Sequence, residues 1–387
     1  MKKLTAFLFY FLYFAGNAAF MPNIVLYYQS LGFNGAQIGL LTSLSPLLML
    51  TSAPLLTGLA DSSRRHRWVM SLALGVAALT ALIYPRLTAF LPMLAMVFLY
   101  SLLGSPVIAL ADSATMTALA GRPELYGRLR LGGTFGWGIA SPIIGSFIQN
   151  HDLRLVFYIA AAGMFLALLV SQNFSYRQSS TVHSPLSGAR LLLANRRFVL
   201  FLLMALASGI GLSTVNNYLF PYMEELHISK SLMGVSMTLS TVSELPVLLF
   251  SNRLLKRLKP HGLLVLGMGM TALRLLLFAA ASTAVEVLIF QLINGLTFGA
   301  VWVAGVSYAE QSAPPGLSAS AQGLFSAVVF GIGAAIGGFA GSLLLEALGG
   351  RLMFLVAGVF VLLSMGVLLL LERRCSSAAA PAMVDQS

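Results

Sequence analysis

The chain has 387 residues, 58% of them hydrophobic and 9% charged, with a mean hydropathy of +0.87. A soluble domain carries about 25% charged residues, so the composition excludes one and describes an integral membrane protein. The net charge of +11 is not a nucleic-acid footprint, because the basic residues stand in short clusters between apolar runs, not on one face of a soluble fold. No nucleic-acid partner is expected. The single cysteine, Cys375, lies beyond the last apolar run and excludes an intrachain disulfide framework.

The opening MKKLTAFLFYFLYFAGNAAF has the lysines, apolar run and small residues of a signal peptide. Its apolar run is longer than such signals carry and many more follow, so a first membrane span is predicted. A span needs about 20 apolar residues. Spans are predicted at 4–28, 37–60, 68–85, 89–119, 131–149 and 155–172, then at 197–222, 231–252, 262–280, 284–310, 318–345 and 351–371.

Charge sets the expected orientation. Of the 23 lysines and arginines, eighteen fall on the side of the two termini and four on the other (Arg86, Arg154, Lys230, Arg351), leaving Arg274 inside a span. Basic loops stay cytoplasmic, so both termini are expected in the cytoplasm of a cell whose inner (plasma) membrane holds the protein.

The long polar stretch 173–196 divides the chain into segments 1–172 and 197–373, with a tail at 374–387. Sliding one segment over the other by 195 residues matches Tyr27 with Tyr222, Gly39 with Gly234, Ser45 with Ser240 and Gly104 with Gly299. The same shift pairs Gly136, Gly138 and Gly163 with Gly331, Gly333 and Gly358. The fold expected is an all-α membrane protein of twelve transmembrane helices in two pseudo-symmetric six-helix bundles. Such parallel repeats place a transport site at the midplane between them. On this pattern the chain resembles the major facilitator superfamily. The loop GLADSSRRHR (58–67) resembles that superfamily's signature between helices two and three, although Thr57 and Arg64 stand where glycines are expected. The resemblance implies that Asp61 and Arg65 form a conformational latch.

Four ionisable positions lie in or beside spans: Asp112, Arg130, Glu244 and Arg274. At 1.5 Å per residue Glu244 is roughly 12 Å and Arg274 about 18 Å from the cytoplasmic end of its span, at a depth where a charge costs about 3 kcal/mol. By the offset their counterparts are Ser307, Phe325, Met49 and Leu79. Charges that do not recur in the repeat look like site residues. Mutual neutralisation of Glu244 and Arg274 as a plain structural pair is the competing reading.

Their spacing is similar to that of the oligosaccharide–proton symporters (the lactose permease type) and the phenylpropionate permeases. Asp112 and Arg130, eighteen apart, match an acid and an arginine that bind sugar hydroxyls, and Trp137 matches a tryptophan that stacks on the sugar ring. Glu244 and Arg274 match the helix-eight acid and helix-nine arginine. The resemblance departs on helix ten, where Asn294 and Thr297 replace a histidine and a proton-carrying glutamate. The family's helix-seven acids appear as Asn216 and Leu219, and their lysine partners as Phe330 and Gln291. All five histidines are expected in loops.

A proton-coupled cycle needs a carboxylate whose proton affinity changes with its surroundings. Glu244 and Asp112 are the candidates, with Glu310 at the cytoplasmic end of span ten a third, and Glu244 is expected to carry the proton with Arg274 modulating it. Asn17, Asn216 and Asn294 are expected to line the path, since amides donate and accept without a standing charge. Tyr27, Tyr28, Tyr218 and Tyr222 read as an interfacial belt, or else as gating groups. Trp302 faces either the cavity or lipid. The glycine run 331–341 is expected to permit close helix packing. The expected function is proton-coupled symport of a sugar, glycoside or nucleoside, or of an aromatic carboxylate, with a transport-dead sensor as a further alternative. The expected partners are a small-molecule substrate, protons and the lipid bilayer. A monomer without cofactor or metal, and not an enzyme, is expected.

Overall fold

The computed structural model describes residues 2–119, 122, 125–176, 185–314 and 317–377. Parts of the polar stretch 173–196 and of the tail 374–387 lie outside the described residues. The described chain is helical throughout: α1 Lys2–Phe20, α2 Ile24–Ser30, α3 Gly35–Ser63, α4 His66–Ile83, α5 Phe90–Gly104, α6 Val107–Leu119, α7 Tyr126–Ile148 and α8 Leu155–Ser171. There follow α9 Pro185–Ala194, α10 Arg196–Glu225, α11 Lys230–Leu249, α12 Ser251–Ala280, α13 Ala284–Gln291, α14 Ala300–Ser312, α15 Ser318–Ser326 and α16 Ala334–Ser377. Among the described residues ten helical stretches are long and apolar enough to cross a membrane. One of them, 53 residues long, is two crossings, because Gly349 adopts φ 78° and ψ 169° and breaks the helix. With the shorter apolar α8, the crossings are the twelve expected. The helix α9 inside the polar connection was not anticipated.

Each half packs about its own helices. Gly132 and Gly136 let α7 press on the backbone of α1 at Phe7 and Phe11, and Gly209 sits on Val329 of the turn before α16. The run 331–341 behaves as expected: a Cβ at Gly337 would collide with the Ile210 carbonyl of α10. The four tyrosines do not form a belt. Tyr27, Tyr28, Tyr218 and Tyr222 are all 2% exposed or less. Each hydroxyl can be buried because it finds an oxygen partner. Tyr27 donates to the Tyr84 carbonyl at 3.2 Å, and its repeat-mate Tyr222 donates to the Phe278 carbonyl at 2.7 Å. These two pins hold the same joint in each half.

The halves touch through two crossings, α3 on α16 and α7 on α11, with α2 against α10. Repeat-mates Gly39 and Gly234 mark both crossings. A Cβ at Gly39 would overlap Phe339, and one at Gly234 would overlap the Ser141 carbonyl. Hydrogen bonds join Thr42 to Tyr218 (3.3 Å), Ser146 to Ser231 (2.9 Å) and Thr238 to the Gly138 carbonyl (2.7 Å). All lie between the middle of the bundle and the end remote from the termini. On the other side, α3 beyond Leu50 and α11 beyond Glu244 are largely exposed. The hydrogen bonds between the halves are therefore gathered toward the remote end.

Overpacking a tight crossing costs about 1–3 kcal/mol. Gly234→Val should lower the thermal midpoint. In a Cys375→Ser background it should also speed the reaction of a cysteine placed at Ser146 with an impermeant maleimide. Unchanged reactivity would contradict a seal at this glycine.

Candidate functional site

In the N-terminal half, α1, α6 and α7 bring Tyr10, Asp112 and Arg130 together. The Tyr10 hydroxyl, fully buried, donates to Asp112 Oδ1 at 2.6 Å and lies 3.2 Å from Thr115 Oγ1. Arg130 Nε stands 4.0 Å from the same carboxylate oxygen, with about a third of each side chain exposed. Its guanidinium carbon lies 5.0 Å from the Tyr10 ring centre and 5.2 Å from that of Phe14. Its Nη1 is buried without a hydrogen-bond partner. An ion pair this loose and this exposed contributes little to stability. The orphaned donor costs about 1–3 kcal/mol, which a ligand acceptor would recover. Tyr10 and Phe14 were missed from sequence because they sit in an aromatic run. One signal was present, since Tyr10 has Ala205 as its repeat-mate.

Trp137 is half-buried, and the next residue, Gly138, accepts the Thr238 hydroxyl. The same glycine packs on Thr241, one turn before Glu244. The α7–α11 crossing therefore lies one residue from Trp137 and one turn from Glu244. The asparagines fare differently. Asn17 is 2% exposed, with its amide nitrogen on the Tyr13 carbonyl at 2.8 Å and its oxygen 3.5 Å from the Tyr100 hydroxyl. It ties helices together. Asn216 is exposed on α10.

In the C-terminal half Arg274 is 3% exposed. It does not pair directly with Glu244. Arg274 Nη1 donates to Asn294 Oδ1 at 2.5 Å and to Thr297 Oγ1 at 3.2 Å, and Nη2 donates to Gln291 Oε1. Asn294 Nδ2 in turn donates to Glu244 Oε1 at 2.6 Å. The amide thus bridges acid and base, presenting its oxygen to the cation and its nitrogen to the carboxylate. Gln291, Asn294 and Thr297 reach one guanidinium because they recur every three residues along one helix face. Local geometry holds this face in place. A π-helical turn at Gly295–Gly299 follows Asn294, and the Gly295 amide donates to Ser243 Oγ at 3.0 Å, beside Glu244. No side chain larger than hydrogen fits there, since a Cβ would meet the Ser243 carbonyl. Single-turn π-bulges are frequent at functional sites. Trp302 is 38% exposed, its ring 5.5 Å from that of Phe330.

In the loop at 58–67 the acid of the expected latch meets a histidine. Asp61 Oδ1 is 2.6 Å from His66 Nε2, while Arg65 is exposed. The cause is local. Arg64 takes the left-handed conformation, φ 56°, and turns the chain so that His66 enters the first turn of α4. There its ring stacks on Tyr176 with centres 5.0 Å apart. Burial raises the Tyr176 hydroxyl pKa above its usual value. Arg67 Nη2 donates to the Phe174 carbonyl at 3.3 Å. His261, also expected in a loop, lies in α12, 3.1 Å from Glu372. Among the described residues there is no group of three potential metal ligands.

A sequence model of the MFS_1 like family matches residues 4–356. The chain is 27% identical over 369 residues to a maltose permease of Geobacillus stearothermophilus, covering 95% of this chain and 94% of the relative. It is 26% identical over 311 residues to a probable 3-phenylpropionic acid transporter of Escherichia coli (strain K12), covering 77% and 80%. A crystal structure of the nucleoside transporter NupG superposes with a TM-score of 0.85 at 20% identity, covering 95% of this chain and 98% of that one, a likeness of fold.

Asn294→Leu removes one hydrogen bond from the buried Arg274 and one from the half-buried Glu244, at about 1.5–3 kcal/mol apiece. It should lower the thermal midpoint by several degrees. Adding Glu244→Gln should restore part of the loss, because a neutral amide needs no dedicated donor. An unchanged midpoint in Asn294→Leu would contradict the bridge.

Proposed function

The chain belongs to the MFS_1 like family of major facilitator transporters, and from that premise we propose that it carries out proton-coupled symport of a neutral, hydroxyl-rich solute, a sugar, glycoside or nucleoside. The observation that carries this reading is the unequal exposure of the two arginines. Arg274 is sealed behind Gln291, Asn294 and Thr297, so a substrate meets one cation, Arg130, with Asp112 4.0 Å away. An acid and a base side by side suit hydroxyl groups, which accept from the guanidinium and donate to the carboxylate. Trp137 adds a flat apolar face next to the crossing of the halves. The maltose permease likeness agrees with this substrate class.

One observation favours a second reading. Arg130 Nη1 is buried and unpartnered, and a guanidinium fork matches a carboxylate. An aromatic carboxylate is therefore the alternative substrate, in line with the likeness to a probable 3-phenylpropionic acid transporter.

In the proposed cycle substrate enters between the halves near Asp112, Arg130 and Trp137. Glu244 takes the proton. Its Oε1 contacts the cation only through Asn294, so a small shift of α11 against the Gln291–Thr297 face would change how much of the Arg274 charge reaches the carboxylate. Alternating access rocks one half against the other about a central site. The basic loops support cytoplasmic termini.

Purified protein reconstituted in vesicles should accumulate its substrate faster under an inward-directed acid gradient than without one, and indifference to the gradient would overturn the coupling. In a thermal-shift screen of sugars, nucleosides and aromatic acids, the true ligand raises the midpoint with the logarithm of its concentration above Kd. Arg130→Gln should abolish that shift, and Trp137→Phe should weaken binding about tenfold if the ring stacks on the ligand. A full shift retained in Arg130→Gln would move the binding site elsewhere.

A further inference from the structure

The first turns of α12, before the break at Lys259 and Pro260, carry Arg253, Lys256, Arg257 and Lys259, with no acid between Ser251 and Pro260. Arg253, Lys256 and Arg257 share one helix face at i, i+3 and i+4 and are all exposed, whereas Leu254 and Leu255 pack on the core. Lys259 adopts φ 57° and breaks the helix, which makes this a separate short helix at the edge of the bundle. A concavity of about 400 Å³ lies between Phe250, Arg253, Leu254, Lys256 and Arg257. The Phe250 ring holds the Arg253 guanidinium at 5.2 Å. Immediately beside it, Leu248, Leu249 and Phe250 are 43%, 77% and 50% exposed.

The equivalent loop of the first half uses its charges internally. There Asp61 engages His66 and Arg67 holds the Phe174 carbonyl. At the 195-residue offset, Lys256 stands where the first half has Asp61. Glu372, the acid next to α12, is taken by His261 at 3.1 Å. Charge topology accounts for a basic loop on this side of the membrane. It does not account for unpaired cations gathered around a concavity whose rim is exposed apolar surface.

We propose that this short helix binds the headgroup of an anionic phospholipid, its phosphate held by Arg253, Lys256 and Arg257 and its acyl chains lying on Leu248, Leu249 and Phe250. Clustered basic residues at the end of a membrane helix recognise such headgroups, each contributing about 1 kcal/mol near the surface. The open apolar flank distinguishes a lipid from a free anion, which would leave it uncovered. The site is independent of the transported substrate.

The full chain is placed in phosphatidylcholine nanodiscs with or without a minority of phosphatidylglycerol, and the thermal midpoint is read. Phosphatidylglycerol should raise it, and Lys256→Gln with Arg257→Gln should abolish that rise. Arg64→Gln with Arg65→Gln removes the same charge from the first-half loop and should keep the rise. Equal loss in both double variants would reduce the effect to overall charge and overturn the site, as would its survival in the Lys256/Arg257 variant. Inorganic phosphate reproducing the rise in neutral nanodiscs would overturn the lipid assignment. If the double variant does not fold, Arg257→Gln alone should retain less phosphatidylglycerol in native mass spectrometry, and equal retention would contradict the proposal.

Discussion

A guanidinium in the interior of a membrane protein has to be solvated by the protein, and at Arg274 neutral groups do this. Gln291, Asn294 and Thr297 converge on it from one helix face, and much of the C-terminal half is arranged to let them. The stretch α13–α14 carries its acceptors three residues apart. The π-helical turn follows directly, and Gly295 lets α11 come close enough for Ser243 and Glu244 to join. Because the amide of Asn294 faces both ways, the acid is tied to the base without touching it. A direct buried ion pair would be a deep and rigid electrostatic well. A bridged one can be loosened by moving a single amide.

The two halves share a scaffold and divide the chemistry. The glycines at the crossings and the tyrosine pins recur in both, whereas the ionisable clusters do not. In the N-terminal half the acid and base are loosely paired and reachable, with a guanidinium nitrogen left without an acceptor. In the C-terminal half Arg274 is buried and tied to a half-buried Glu244 through Asn294, with its own Nε left without an acceptor. The crossing of α7 on α11, where Gly138 meets Thr238 and Thr241, joins the helix that carries Arg130 to the helix that carries Glu244. A ligand drawn to Asp112 and Arg130 would press on the helix that carries Glu244.

Much of this was legible in the sequence. Hydropathy and the 195-residue repeat gave the twelve spans, and the charges lacking a repeat-mate marked both clusters. The repeat even identified Gly39 and Gly234, although their service as inter-half contacts depends on helix rotation, which periodicity alone leaves open. Tyr27 and Tyr222 were misread because an aromatic near a span end looks the same whether it points to lipid or to a carbonyl. Asn294 was read as a path-lining amide standing where related symporters have a histidine. Its role as a bridge requires knowing that Glu244 and Arg274 approach it from different helices. The contact of Asp61 with His66 was not legible, because the left-handed turn at Arg64, which swings His66 inward, has no glycine to announce it.

The central claim is that Glu244 handles the proton and the Asp112–Arg130 cluster handles the substrate. Glu244→Gln, measured in vesicles for both energy-independent exchange and gradient-driven accumulation, separates them. The account predicts that exchange of substrate across the membrane persists while accumulation against a gradient is lost. Accumulation retained alongside exchange, or exchange lost along with it, would contradict that division.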